Sequence, residues 1–222
     1  VPCRIEVTGK LKPGENILKV GVESGLYGVA DKEGKAYLDN IGALLNKRHW
    51  QRKPQYQFLW DWNPQLINVG ITGSVRLEWT SSLRIDQVVV QCSLSDDLTQ
   101  ALLTIKPFID AAGLRTAVKI RAKVEETGES SIVDVNLEPE LKSYETTLRI
   151  LNPKLWWPAG QGEQNLYHII VDVIGDNGVI DEKKICTGVR NIRIDQSPHP
   201  VKGNYFTIVV NNRKVFMKGG NW

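Results

Sequence analysis

Two tryptophans flank a single carboxylate at Trp60-Asp61-Trp62. The triplet stands in the run QYQFLWDWNPQ, residues 55–65, where aromatic residues occupy alternate positions. An indole face can stack on the apolar C–H face of a sugar ring, and a carboxylate accepts hydrogen bonds from ring hydroxyls. The triplet is therefore a candidate carbohydrate-binding element in which Asp61 is the acceptor.

The same run also fits a purely structural interpretation. With a period of two, its aromatic residues share one face of a strand and pack well on a half-buried sheet. Asn63-Pro64 ends the strand because proline has no N–H to donate to a ladder. Both interpretations place Asp61 and Trp62 at the exposed end of a strand. The aromatic face comprises Tyr56, Phe58, Trp60 and Trp62.

Composition restricts the class of protein. The chain has 222 residues, 41% of them hydrophobic, which is enough for real cores and for more than one domain. Lys and Arg total 28 against 25 Asp and Glu with no basic tract, so neither nucleic acid nor a membrane is an expected partner. No apolar run is long enough to span a bilayer, and the localisation stays open.

Cysteine and histidine give no metal or cofactor signal. Three widely spaced cysteines form neither a disulfide framework nor a zinc pattern, and we expect thiols that are either buried or without a chemical role. The three histidines have no cysteine, aspartate or second histidine at ligand spacing. We therefore predict no metal site and no cofactor. The residues are Cys3, Cys92, Cys186, His49, His168 and His199.

Short alternating runs between turns predict an all-β fold. Strands are expected at 3–9, 17–24, 74–79 and 116–126, among others, with hairpin turns at Asp176-Asn177-Gly178 and Asn211-Asn212. In 116–126, apolar residues alternate with charged ones, which is typical of a half-buried antiparallel strand. From about Ser82 to Arg193 the spacing fits one immunoglobulin-like sandwich of roughly 100 residues.

Five motifs in order carry a family resemblance: LKPGEN, RKPQYQFLWDWNP, LWWPAGQGEQNLY, GVRNIRID and VFMKGGNW. The chain resembles glycoside hydrolase family 2, and its tryptophan motifs are most similar to those of the β-mannosidases. The resemblance implies that 1–80 is the second half of a jelly-roll (galactose-binding-like) domain and that 81–193 is the immunoglobulin-like sandwich. It makes 194–222 the first strands of a (β/α)8 barrel.

The resemblance also implies where the chemistry lies. A complete barrel needs about 250 residues, and the retaining mechanism uses two carboxyl groups about 5–5.5 Å apart on barrel strands. The Asn-Glu pair that holds the family's acid/base does not occur in this sequence. We therefore expect a non-catalytic piece, truncated at both ends, of an enzyme that removes terminal β-linked mannose, and no hydrolysis by the piece alone.

The family's site residues map onto two places. The matching Trp-Asp-Trp loop reaches the mouth of the barrel and contacts the terminal sugar, which assigns substrate binding to Trp60, Asp61 and Trp62. Asn221 and Trp222 stand where the first barrel strand opens onto the C-terminal face, the face that carries active sites. The expected partners are a β-mannoside or related oligosaccharide and the protein's own catalytic barrel.

Some features leave alternatives open. Leu59 and Asn63 replace the glycines that usually flank the mannosidase motif, and Asp-Trp-Asn-Pro also resembles the exo-β-glucosaminidases of the same family. A free-standing sandwich that binds carbohydrate or protein without catalysis is the alternative from another class. Trp156-Trp157-Pro158 is expected to be a structural corner tied by Glu163 and Gln164. Glu125-Glu126 is expected to be a solvated strand edge, with its side chains on opposite faces.

Overall fold

A computed structural model of the chain describes residues 3–35, 42, 45–58, 66–80 and 82–220. The chain divides into two compact units, Val1–Leu77 and Glu78–Trp222. In the described ranges the first unit contains only short 3-10 helices, whereas the second is built from antiparallel strands. None of the helices in these ranges is long and apolar enough to cross a bilayer.

The helices of the first unit correct one prediction. The strand expected from residue 55 is wrong for residues 55–58, which form a 3-10 helix, and the rest of that expected strand lies outside the described residues. Pro54 stands just before it, fixes φ for a helical turn, and accepts a hydrogen bond from the Gln57 N–H at 3.2 Å. Tyr56 is 53% exposed while Phe58 is fully buried, so they do not share a face. The helices are η1 Tyr27–Val29, η2 Leu45–Trp50 and η3 Gln55–Phe58.

The strands expected at 3–9, 17–24 and 74–79 are also wrong, since none of these residues is in a strand. An extended segment is stable only when a neighbouring strand pairs its N–H and C=O groups, and the described part of the first unit supplies none. The apolar side chains of these segments are correspondingly exposed, with Ile17 at 79% and Trp79 at 86%. The half jelly roll expected for 1–80 stays a prediction.

The second unit contains eleven strands within residues 82–220, which confirms the all-β prediction at this level. They are β1 Arg84–Leu94, β2 Gln100–Asp110, β3 Thr116–Val124, β4 Ser130–Leu137, β5 Lys142–Ser143, β6 Thr146–Leu151, β7 Tyr167–Gly175, β8 Gly178–Thr187, β9 Ile192–Asp195, β10 Thr207–Val210 and β11 Arg213–Val215.

Two four-stranded antiparallel sheets form a sandwich. In the first, β2 pairs with β1 on one side and with β5 and β6 on the other. The second has the order β4-β3-β7-β8. Both sheets contribute to one apolar core, and the largest fully buried side chains include Leu103 and Ile105 from β2 and Ile120 from β3.

Strand β3 has the alternation that the sequence predicted. Its inward side chains are buried, and Lys119 and Lys123 on the other face are exposed. Because side chains alternate between the two faces of a strand, this pattern places one face of the sheet in the core. The inward residues are Val118, Ile120, Ala122 and Val124.

A three-stranded antiparallel sheet of order β11-β10-β9 follows the sandwich. The turn between β10 and β11 is Asn211-Asn212, as predicted, and both residues have positive φ, 46° and 64°. Strand β9 spans 192–195, so the domain boundary expected between 193 and 194 falls inside a paired strand. The start of a barrel in 194–222 stays a prediction.

Candidate functional site

The five residues assigned to substrate binding lie outside the described residues. Trp60, Asp61 and Trp62 belong to 59–65, and Asn221 and Trp222 are the last two residues of the chain. The structure describes the residues that flank these positions, and it describes a third region, the Trp156-Trp157 corner.

The flanks of 59–65 are tied together within the first unit. Lys53 Nζ donates a hydrogen bond to the carbonyl of Asn68 at 2.5 Å, which joins residues on either side of the segment. Helix η2 is held nearby, since the Trp50 indole N–H donates to the Glu33 carbonyl at 3.0 Å. Of these two contacts, the Lys53–Asn68 hydrogen bond connects the described residues before and after the Trp-Asp-Trp triplet.

The tryptophan corner, residues 155–164, is fixed by backbone hydrogen bonds. The Trp156 N–H donates to the Val189 carbonyl at 2.9 Å, and the Trp157 N–H donates to the Glu163 carbonyl at 3.0 Å. Trp156 also forms a β-bridge with Gln164. The prediction of a structural corner tied at Glu163 and Gln164 is confirmed, with backbone groups rather than side chains making the bonds.

Two arginines lie against the indoles of this corner. The guanidinium carbon of Arg190 is 4.7 Å from the centre of the Trp156 ring, and that of Arg213 is 4.1 Å from the Trp157 ring. Guanidinium groups at this distance are attracted by the ring quadrupole. Because Arg213 lies on β11, the corner contacts the three-stranded sheet as well as the sandwich.

A second cluster, Glu125, Glu126 and His168, corrects the sequence analysis. Strand β3 ends at Val124, so both glutamates lie in a turn, and their carboxylates converge instead of pointing to opposite faces. Each of the three residues offers a metal-ligand atom within 4.8 Å of the others. Sequence reasoning missed it because 42 residues separate Glu126 from His168.

The atoms of this cluster already have partners. Glu126 accepts hydrogen bonds from the backbone N–H of His168 at 2.9 Å and from its Nδ1 at 2.6 Å, and Glu125 pairs with Lys184 at 2.5 Å. Partial burial raises the pKa of the Glu126 carboxyl, but the hydrogen bonds from His168 outweigh it and hold that pKa below its usual value. We therefore interpret the cluster as an ion-pair network.

The three cysteines are free thiols, as the sequence predicted. Cys3 and Cys186 are exposed, whereas Cys92 packs against the sandwich core. Burial raises the pKa of the Cys92 thiol above its usual value, with the backbone N–H of Arg190 acting in the opposite direction. A half-buried thiol that resists ionisation is a poor nucleophile, and its contact with the core gives this cysteine a packing role.

Two family models match the chain. A model described as "Glycosyl hydrolases family 2" matches residues 83–190, which lie in the sandwich. A second, described as "Glycosyl hydrolase 2 galactose-binding domain-like", matches residues 1–73. The two matches together cover most of both compact units.

Curated relatives and a solved structure agree with these models. The chain is 29% identical to a β-mannosidase B of Emericella nidulans over 99% of its length, and 26% identical to a probable β-mannosidase of Caenorhabditis elegans over all of it. It resembles the crystal structure of a β-D-mannosidase from Dictyoglomus thermophilum with a TM-score of 0.73 and 29% identity, over 89% of this chain and 24% of that one. The chain spans 26% of the length of both curated relatives.

Proposed function

Since the chain belongs to glycoside hydrolase family 2 and is β-mannosidase-like, we propose that it is the non-catalytic region of an exo-acting, retaining β-mannosidase. The observation that carries the proposal is its similarity to β-mannosidases over 99% of its length. The whole protein would then remove terminal β-linked mannose, and this region would support the catalytic barrel.

The proposal assigns the chemistry to residues outside this chain. A retaining glycosidase needs a nucleophile and an acid/base about 5–5.5 Å apart, and it proceeds through a covalent glycosyl-enzyme. The relatives are about four times as long as this chain, which leaves room for a barrel of about 250 residues. We expect the 222-residue chain alone to release no product from an aryl β-mannoside.

In this proposal the region has two parts with different tasks. Residues 1–80 form the jelly-roll half and residues 81–193 an immunoglobulin-like sandwich, which the matching family models support. Two four-stranded sheets around one core support the second assignment further. The Trp60-Asp61-Trp62 loop would reach the terminal sugar, with Asn221 and Trp222 beside it. The Lys53–Asn68 hydrogen bond at the base of the loop supports this role.

The test is Asp61→Ala in the whole protein. Removing an acceptor that binds ring hydroxyls in both the ground state and the transition state deletes a charged hydrogen bond of roughly 1.5–3 kcal/mol. We expect kcat/KM on an aryl β-mannoside to fall about 10- to 150-fold.

Asp176→Ala is the matched control for this test, because Asp176 is an exposed aspartate in the β7–β8 turn. We expect it to keep the wild-type kcat/KM. Wild-type kcat/KM for Asp61→Ala, together with a lowered melting temperature, would mean that the carboxylate is structural. An aryl β-glucosaminide assayed in parallel identifies the sugar, and faster cleavage of it would favour the exo-β-glucosaminidase alternative.

A further inference from the structure

The turn of the β10–β11 hairpin does more than reverse the chain. Asn211 and Asn212 both have positive φ, and asparagine tolerates this conformation better than most residues, so either side chain suits the turn. The two differ in their surroundings. Asn212 is exposed and donates one hydrogen bond to the Asp96 carbonyl at 2.7 Å, whereas Asn211 is only 3% exposed.

The side chain of Asn211 links three separate segments. Its Oδ1 accepts from the Asn191 N–H at 2.9 Å, one residue before β9, and its Nδ2 donates to the Trp156 carbonyl at 3.0 Å in the tryptophan corner. Its own backbone N–H donates to the Asn191 carbonyl at 2.9 Å. A buried amide with both ends satisfied specifies one arrangement, because breaking either bond leaves a buried polar group unpaired.

Neighbouring residues reinforce this link. Arg213, two residues further on, stacks on Trp157 and donates to the Gln161 carbonyl. Arg190, which lies in the connection between β8 and β9, stacks on Trp156. The hairpin therefore meets the tryptophan corner through one buried amide and one stacked guanidinium, both next to the turn.

We propose that Asn211 is a positioning residue that fixes the β10–β11 hairpin in one orientation on the sandwich. Strand β11 ends at Val215, and residues 216–220 lead from it towards Asn221 and Trp222. Holding the turn therefore fixes the direction in which the chain leaves the hairpin. If the proposed function is right, the orientation of the hairpin also affects the alignment of the active site, and Asn211 acts on it without touching the sugar.

The first experiment is hydrogen exchange on the 222-residue chain carrying Asn211→Gly, with Asn212→Gly as the matched control. Glycine accepts positive φ, so both variants keep the turn, and only the first removes the buried amide. We expect the Asn191 N–H and the β10 amides to exchange about tenfold or more faster in Asn211→Gly. Exchange in β3 and β7 should be unchanged, and Asn212→Gly should match the wild type.

Three results of this experiment would overturn the proposal. Unchanged exchange at Asn191 and β10 would mean that the amide does not hold the hairpin. Equally accelerated exchange in β3 and β7 would make Asn211 a general stability residue. If Asn212→Gly accelerated exchange equally, the acceleration would come from a change in the turn and not from loss of the buried amide. None of these readouts depends on enzymatic activity, so they decide the inference even if the proposed function fails.

The second experiment rests on the proposed function and uses the whole protein. A misaligned active-site residue costs about 10- to 100-fold in rate, so Asn211→Gly should lower kcat on an aryl β-mannoside by that factor, with KM within about twofold of the wild type. Asn212→Gly should leave both constants unchanged. Accelerated exchange with wild-type kcat would overturn the catalytic consequence. A wild-type protein without β-mannosidase activity would overturn the proposed function and leave the exchange result standing.

Discussion

Asp172 is a buried carboxylate on a face of β7 that points away from the sandwich core. Its neighbours Val171 and Val173 point inward, and the Asp172 side chain is still only 1% exposed. Arg121, its cross-strand neighbour on β3, pairs with it through Nε at 2.7 Å and Nη2 at 2.6 Å, both to Oδ2. Among the described residues the other oxygen, Oδ1, has no hydrogen-bond partner.

This asymmetry predicts unequal costs for removing the two partners. Arg121→Ala leaves a buried carboxylate with no partner, and we expect it to lower the free energy of unfolding by about 3–5 kcal/mol. Asp172→Ala leaves an arginine that is 40% exposed and can be solvated, so we expect a loss nearer about 1 kcal/mol. Urea unfolding of the 222-residue chain measures the loss of unfolding free energy for both variants. Equal losses would show that Asp172 is solvated despite its burial.

At the residue scale the sequence predicted some roles and missed others. The aromatic triplet around Asp61 was found from residue types and from the family resemblance, and its role stays a prediction. The Glu125–Glu126–His168 cluster was missed because β3 ends two residues before the end of the expected strand 116–126, and because His168 is 42 residues away from Glu126 in the sequence. Once the chain leaves the strand, adjacent side chains no longer alternate, and no pattern in the sequence gives the angle of a turn.

At the scale of elements, strand alternation was informative within the sandwich. In β3 the period of two identified the buried face, because each side chain's face follows directly from its position in a strand. The Asn211-Asn212 turn could also be predicted, because asparagine is one of the few residues that tolerate positive φ. At the β7–β8 hairpin the location was right, but of Asp176, Asn177 and Gly178 only Gly178 has positive φ.

Pairing between strands that are distant in the sequence could not be predicted from the sequence. Strand β1 has an irregularity between Ile85 and Gln87, and Asp181 of β8 accepts a hydrogen bond there from the Ile85 N–H at 2.6 Å. In the first unit, the alternation at 17–24 resembled that of β3, yet no strand formed. Periodicity identifies an apolar face, but a strand also requires a partner to pair its backbone groups.

The tryptophan corner offers a test of packing between elements. Gly188 is buried beside Trp156, and a Cβ added to it would lie 2.9 Å from both Cβ and Cγ of that indole side chain. Because these atoms are close to the Trp156 backbone, the ring cannot simply swing away. We expect Gly188→Ala to lower the free energy of unfolding by about 1–3 kcal/mol, as overpacking does.

Gly219→Ala is the control, since a Cβ there has no neighbouring atom within 4 Å. It should leave the thermal transition unchanged. Tryptophan fluorescence of Gly188→Ala should also change, because the substitution displaces Trp156. A normal melting temperature and emission spectrum for Gly188→Ala would show that the corner is loosely packed and does not hold the strands around it.

At the scale of the whole molecule, the two units differ in how their backbones are paired. Strand β3 has a neighbour on each side, β4 and β7, and its inward side chains are at most 5% exposed. In the first unit, residues 17–24 are in no strand or helix, and Ile17, Leu18 and Val20 are each more than half exposed. Protection from hydrogen exchange follows pairing and burial, so it should differ sharply between the units.

We expect the slowest exchange in the chain within 118–124, where opening requires the sandwich to unfold. Amides in 17–24 should exchange at least about 10³-fold faster, because a domain's free energy of unfolding is several kcal/mol and these amides lack a ladder. Strand β4, paired on one side only, should lie between the two. Exchange measured in denaturant, where all segments should behave alike, is the control. Equally slow exchange in 17–24 and 118–124 would mean that the first unit pairs its strands, as the jelly-roll prediction requires.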